Sequence, residues 1–246
     1  MGFLFHFGRY VLMLKNMLSK PEKFNMYFNE TMRQIVNIGI GSLVIIILVS
    51  FFIGAVTLVQ FAYQIQNYPI LPKTLGGYVV RESMILELAP TISCLLLAGK
   101  VGSNIASELG TMRISEQIDA LKIMGVNTTS YLVAPKVFGA VFVVPLLIII
   151  SAAVGILGGY VAGSASGLLT PDQYEAGLLN DFKEYGVFVM LVKSLFFAFL
   201  ITSISCYHGY HVKGGALEIG DASTRAVVQS CIAIVFFDFI IAAVLL

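Results

Sequence analysis

Glu87 and Asp238 each stand inside long apolar runs, where an ionised carboxylate at mid-membrane depth costs at least about 2.5 kcal/mol by insertion scales. One reading has Glu87 facing a cavity, where it orders a polar ligand or a pair of helices. The other is a carboxyl protonated or hydrogen-bonded within a bundle. Asp238 has no sequence-local partner. His208 and His211 lie at a helix end beside Lys213 with no third ligand nearby, so no metal site is expected. Acid–base chemistry between Glu87 and His208 needs hydrogen-bond reach, which their expected opposite membrane depths deny. No catalytic residue is assigned. The chain also lacks the Gly-rich loop ending in Gly-Lys-Ser/Thr that cradles nucleotide phosphates, so any ATP-driven work must borrow a separate subunit.

Other polar groups recur at helical spacing. Thr57, Gln60 and Gln64 follow one stripe of an apolar run, with Tyr68 beyond them; such a stripe lines a pathway or hydrogen-bonds neighbouring helices. The segment from Gly102 to Gly125 is too polar to span a bilayer. Ile105, Leu109 and Met112, then Ile114, Ile118 and Leu121, form two short apolar stripes that slip past one another near Gly110. Glu108, Arg113, Glu116, Asp119 and Lys122 occupy the other faces, and Gly125 suits a helix C-terminus. Mixed apolar and charged faces fit a helix that docks into a groove on another protein; packing on its own bundle is the alternative. Gly155, Gly159 and Gly163, with Gly158 alongside, form a small-xxx-small pattern that permits close helix approach.

The elements that must position these residues are membrane helices. Of 246 residues 58% are apolar and 12% charged, against about 25% charged in a soluble domain, and the mean hydropathy is +0.89. A water-soluble fold could not bury so much apolar surface. The balance of 15 Lys+Arg against 14 Asp+Glu leaves no basic surface for nucleic acid. Runs of about 20 apolar residues mark spans at about Ile38–Tyr63, Leu75–Ala98, Val133–Ala165, Tyr185–Tyr207 and Ala226–Leu246. The third exceeds what a bilayer requires, so it should tilt, kink at Pro145 or project. Arg9, Lys15, Lys20, Lys23 and Arg33 precede the first span; Lys100, Arg113, Lys122 and Lys136 fall between the second and third, and Lys213 and Arg225 between the fourth and fifth. The intervening loops are poorer in Lys and Arg, which places the N-terminus in the cytoplasm and the C-terminus outside.

Before the first span, Phe3, Phe7, Val11, Leu14 and Leu18 recur at helical spacing, with His6, Arg9, Lys15 and Asn16 mostly off that stripe and Pro21 closing the segment. This is not the order of a signal peptide; residues 1–20 read as an amphipathic helix in the cytoplasmic interface, an ordinary terminal helix being the alternative. Cys94, Cys206 and Cys231 lie in apolar runs at spacings that fit no metal or disulfide pattern, as small core residues do. No internal repeat or low-complexity stretch is visible.

Glu87-Leu-Ala-Pro90, Leu97-Ala-Gly-Lys-Val-Gly-Ser103, Glu108-Leu-Gly-Thr-Met-Arg113, Glu116-Gln-Ile-Asp-Ala-Leu121 with Met124, and Tyr131-Leu-Val-Ala-Pro-Lys136 together resemble the MlaE-type permeases of ABC transporters that work with MCE proteins. The resemblance covers essentially the whole chain. It implies an all-α integral membrane protein: one permease domain over residues 1–246, with an interfacial helix at 1–20, five transmembrane helices and a coupling helix at 103–125. It further implies a homodimer in the inner membrane that moves phospholipid between that membrane and a hexameric periplasmic MCE partner. A separate ABC ATPase subunit would bind ATP and Mg, and this chain no cofactor. A STAS-domain protein joins the ATPase in related systems, though nothing in this chain demands it. The resemblance assigns Thr57, Gln60, Gln64, Tyr68, Glu87 and Leu88 to a lipid cavity between two copies. It assigns Glu108, Gly110, Met112, Arg113, Glu116, Gln117, Leu121 and Met124 to ATPase coupling. The family commonly carries Arg before the Glu, where this chain has Leu86; Arg81 stands one and a half turns earlier on a different face. An ion-coupled secondary transporter using Glu87 and Asp238 is the alternative from another class.

Overall fold

The structure, a computed structural model, describes residues 3–17, 24–66 and 72–245. Helix α1 spans Phe3–Met17, α2 Phe24–Gln66, α3 Leu75–Ile114, α4 Gln117–Ile123, α5 Thr128–Ser166, α6 Pro171–Leu179, α7 Glu184–Tyr210 and α8 Ala216–Leu245. Five of them, α2, α3, α5, α7 and α8, are long and apolar enough to cross a membrane. There is no strand among the described residues.

Each span extends past its hydropathy window, because a helix continues until a terminator stops it and not where polarity rises. The second departs furthest from its expected end at Ala98: α3 runs on to Ile114, since Ile105, Ala106 and Leu109 remain buried against the bundle. The discontinuity is therefore not near Gly110. It falls at Ser115–Glu116, where Glu116 turns left-handed at φ 60°. The third span runs unbroken through Pro135 and Pro145 for 39 residues, about 58 Å at 1.5 Å per residue against about 30 Å of hydrocarbon.

α5 is the central element, packed along α2 through the glycines that the sequence singles out. A Cβ on Gly158 would overlap the Phe51 carbonyl, and one on Gly54 would overlap the carbonyl of Gly155. Backbones this close forbid side chains between them. Ser151 on α5 joins Ser50 on α2 at 2.6 Å and Ser93 on α3 at 2.8 Å, a buried three-helix hydroxyl junction. On its far face α2 exposes Ile40, Val44, Leu48, Phe52 and Val56 at four-residue spacing. Water would not tolerate so long an apolar stripe; a bilayer or a second protein does.

Two side chains tie down the α6 segment: Tyr174, which donates to the Ile156 carbonyl at 2.8 Å, and Arg81. Arg81, buried at the start of α3, donates to the carbonyls of Leu178, Asn180 and Asp181 and to Glu82, while Tyr78 and Phe182 flank the guanidinium. It thus satisfies carbonyls that the end of α6 leaves open. Arg81→Met should release this segment at a loss of about 1.5–3 kcal/mol. Limited trypsin digestion would show it as faster cleavage at Lys183; an unchanged rate would mean that packing and Tyr174 hold α6 without Arg81.

α1 is a helix held to the bundle by a face other than its apolar stripe. Met13 and Met17 are buried, whereas Phe7 and Val11 are exposed. His6 Nδ1 lies 2.8 Å from the Tyr207 hydroxyl and Tyr10 hydrogen-bonds Ser203 at 2.7 Å. So polar groups hold α1 to the end of α7, and the Phe7/Val11 stripe faces away. Leu18, Lys20, Pro21 and Lys23 lie outside the described residues.

Candidate functional site

Sequence reasoning passes over Lys193. Its side chain is wholly buried on α7, with Nζ 2.7 Å from Glu87 Oε1 and 2.8 Å from Asp238 Oδ1. Its third contact is the Leu86 carbonyl at 3.0 Å. An ammonium has three N–H donors, and here three acceptors from two other helices surround it.

The local sequence accounts for the arrangement. Pro90 has no N–H to give the Leu86 carbonyl four residues back, and α3 widens into π-helical turns across Met84–Ile92, a deformation common at functional sites. The Leu86 carbonyl is thereby turned to the lysine. Thr91 donates to Asp238 Oδ2 at 3.0 Å, so both oxygens of the α8 carboxylate are engaged. Asp238 thus has the partner that no neighbour in sequence supplied. Glu87 differs: its side chain is 44% exposed, so one face of the carboxylate is open to whatever adjoins α3. Arg81 is committed to the α6 carbonyls and does not stand in for the missing arginine; the cation beside Glu87 comes from α7. The lone lysine within an apolar run is itself the signal that finds it.

The other expected cavity residues do not converge on this cluster in the single chain. Thr57 bonds back to the Ile53 carbonyl at 2.8 Å and borders a shallow apolar hollow with Phe52 and Val56. Gln60 and Gln64 are exposed on α2, and Leu88 is half-buried on α3. Tyr68 lies outside the described residues.

The 103–125 segment divides into the end of α3 and the short α4. Arg113 reaches Asp119 at 2.5 Å and Lys122 reaches it at 3.5 Å, which pins α4 across the Ser115–Glu116 turn. The Arg113 guanidinium, hydrogen-bonded to it, holds the Asp119 carboxyl below its usual range. With its folded pKa depressed, this tether is complete above the ordinary carboxylate pKa and weakens as pH falls through the lowered value. Glu108 accepts from the buried Lys136 at 2.6 Å, and Gly110 lies against Val212 and Ile219. Of the apolar residues that argued for docking, Ile118 is fully buried and Met112 and Leu121 pack on the core, so these serve their own bundle. The surface left for a partner is Ile123, 88% exposed, and Met124, 68% exposed, beside exposed Glu116 and Gln117. Ile123 falls outside the coupling residues that the resemblance assigns; its place in the last turn of so short a helix gives no stripe to read.

His208 hydrogen-bonds Gln229 at 2.7 Å and His211 the Tyr207 carbonyl at 2.9 Å. Burial depresses the His211 pKa to about 4, so this imidazole is neutral at ordinary pH.

The arrangement thus comprises a charge cluster buried among three membrane helices, with one carboxylate open, and a small knob, α4, beyond the membrane spans. Comparison with known proteins places both in context. The profile described as "Permease MlaE" matches residues 31–244. A probable ABC transporter permease protein of Rickettsia bellii is 36% identical over 216 residues, covering 88% of this chain and 83% of the relative. One from Synechocystis is 36% identical over 210 residues, covering 85% and 79%. The intermembrane phospholipid transport system permease protein MlaE of Haemophilus influenzae is 30% identical over 243 residues, covering 97% and 91%.

Proposed function

The chain belongs to the MlaE permease family, and from that premise we propose that it is the membrane subunit of an ABC transporter that moves phospholipid. It is a multi-pass inner-membrane protein, and an ATPase subunit is its partner. We further infer the finer arrangement: the Lys/Arg-rich end, with α4, faces the cytoplasm and the C-terminus faces the periplasm. Two copies form a homodimer and enclose a lipid cavity open to a hexameric MCE protein. ATP and Mg reside on the ATPase, and this chain performs no covalent step.

The observation that carries this reading is the pairing of the two features just described. The α4 knob supplies a seat for the ATPase, while the open Glu87 carboxylate supplies a polar point in an otherwise apolar cavity. Thr57, Gln60 and Gln64 line that cavity from α2, with Leu88 beside Glu87, and Tyr68 is assigned to it by the resemblance alone. Glu108, Gly110, Met112, Arg113, Glu116, Gln117, Leu121 and Met124 transmit the ATPase's closure, with Ile123 at the tip. ATP binding favours the collapsed cavity and lipid the open one, so each biases the other through one equilibrium.

Glu116→Lys tests the coupling. The left-handed turn remains available, so the protein should fold and assemble while lipid transfer per ATP hydrolysed falls on the order of tenfold. Transfer and hydrolysis that keep their ratio would remove α4 from the mechanism.

A further inference from the structure

On α2, Gln34, Ile38 and Ser42 follow one another at four-residue spacing; on α3, Lys100, Asn104 and Glu108 do the same. The two stripes run antiparallel and border a cleft of about 260 Å³, with Lys100 Nζ against the Gly41 carbonyl and Glu108 at the other end. The cleft lies at the Lys/Arg-rich end of the bundle, level with the Lys136–Glu108 pair, and its Lys100 stands 13 residues along α3 from Glu87, about 20 Å at 1.5 Å per residue. Its floor carries a polar atom that the protein does not satisfy: Ser42 is 1% exposed, and its hydroxyl has no hydrogen-bond partner. Buried polar groups are almost always paired, and serines within membrane helices bond a neighbouring helix or a carbonyl one turn back on their own. Here the neighbouring helix offers a cation, an amide and a carboxylate around an open space.

The chemistry of the walls selects a ligand. One end is an ammonium with N–H donors left after its single carbonyl contact. The other is a carboxylate, 53% exposed, with one oxygen taken by Lys136. Such a cleft suits a zwitterion and is poorly suited to a bare anion, which would meet Glu108. On the same helix the exposed Ile40 and Val44 lead along α2 towards Leu48.

We propose that this cleft holds the head group of a zwitterionic aminophospholipid from the leaflet on the Lys/Arg-rich side. Lys100 takes the phosphate and Glu108 the primary ammonium. Asn104 and Ser42 take the oxygens between, and the acyl chains lie along Ile40 and Val44. As a second lipid station, distinct from the Glu87 cavity, it rests on the transport reading; as a binding site it is measured without transport.

The full-length protein with its ATPase, in nanodiscs of equal phosphatidylethanolamine and phosphatidylglycerol, is released into native mass spectrometry and the retained lipids are identified. The wild-type protein should keep phosphatidylethanolamine several-fold over phosphatidylglycerol. Glu108→Gln should abolish that preference, and Asn104→Leu, at an exposed position that leaves the fold intact, should lower total retention at this site. Equal retention of both lipids by the wild type overturns the proposal. So does a preference that survives Glu108→Gln but disappears in Glu87→Gln, which would assign the lipid to the other cavity, and so does binding of soluble phosphoethanolamine with no lipid retained. Loss of ATP-driven transfer with the preference intact would instead sink the transport reading and leave this site standing.

Discussion

Lys193→Met should destabilise the protein by about 3–5 kcal/mol, the range for removing one partner of a buried ion pair. The lysine is wholly buried between Glu87 and Asp238, so its loss strands two carboxylates and frees the Leu86 carbonyl. The methionine fills much the same volume, so the effect is electrostatic and not a cavity. Thermal unfolding of the detergent-purified protein should show a strongly lowered midpoint. The added pair Glu87→Gln and Asp238→Asn should recover much of that loss, because neutral amides no longer require a cation. A purely structural cluster would restore transport along with stability in the triple variant. If Glu87 also serves the lipid cavity, stability returns and transport does not. An unchanged midpoint in Lys193→Met would mean that the three groups do not form one charge cluster.

Gly158→Leu should prevent the native α2–α5 packing altogether, and even Gly158→Ala should be harmful by about 1–3 kcal/mol. In an isolated helix alanine is better than glycine by about 1 kcal/mol, so propensity alone forecasts the opposite sign. Geometry decides: the new Cβ would meet the backbone of Phe51, including its carbonyl, and backbone cannot step aside as a side-chain tip can. Gly163→Ala meets the end of the Leu58 side chain at 2.7 Å, which can shift, so its effect should be milder. Gly220 has nothing within 4 Å of an added Cβ, and Gly220→Ala should be neutral or slightly stabilising. Midpoints ranked in that order check the account; a Gly158→Ala protein as stable as the wild type would contradict it.

These contrasts show what is legible in the sequence. The five spans are, because an apolar run of bilayer length seldom belongs anywhere but in a bilayer, and so is the role of the Gly155–Gly163 stripe. Ends are less legible. α3 passes Ala98 without interruption because the polar residues after it face outwards while Ile105 and Leu109 stay buried. The break comes at Glu116, which adopts the left-handed turn without being a glycine, so no breaker marks it. The charge cluster is half legible: Glu87 and Asp238 stand out, but their shared partner lies about half the chain from one of them and its charge is submerged in an apolar run. Met112, Ile118 and Leu121 mislead in a different way, since burial against one's own bundle and against a partner call for the same residue types.

The most direct test of the central claim is transfer of labelled phospholipid out of proteoliposomes containing the full chain and its ATPase, with ATP and ion gradients varied independently. The account predicts transfer that requires hydrolysable ATP and continues when ionophores collapse every gradient. Transfer that survives ATP depletion but stops with the ionophores would contradict it and make Glu87, Lys193 and Asp238 the ion-coupling site of a secondary transporter.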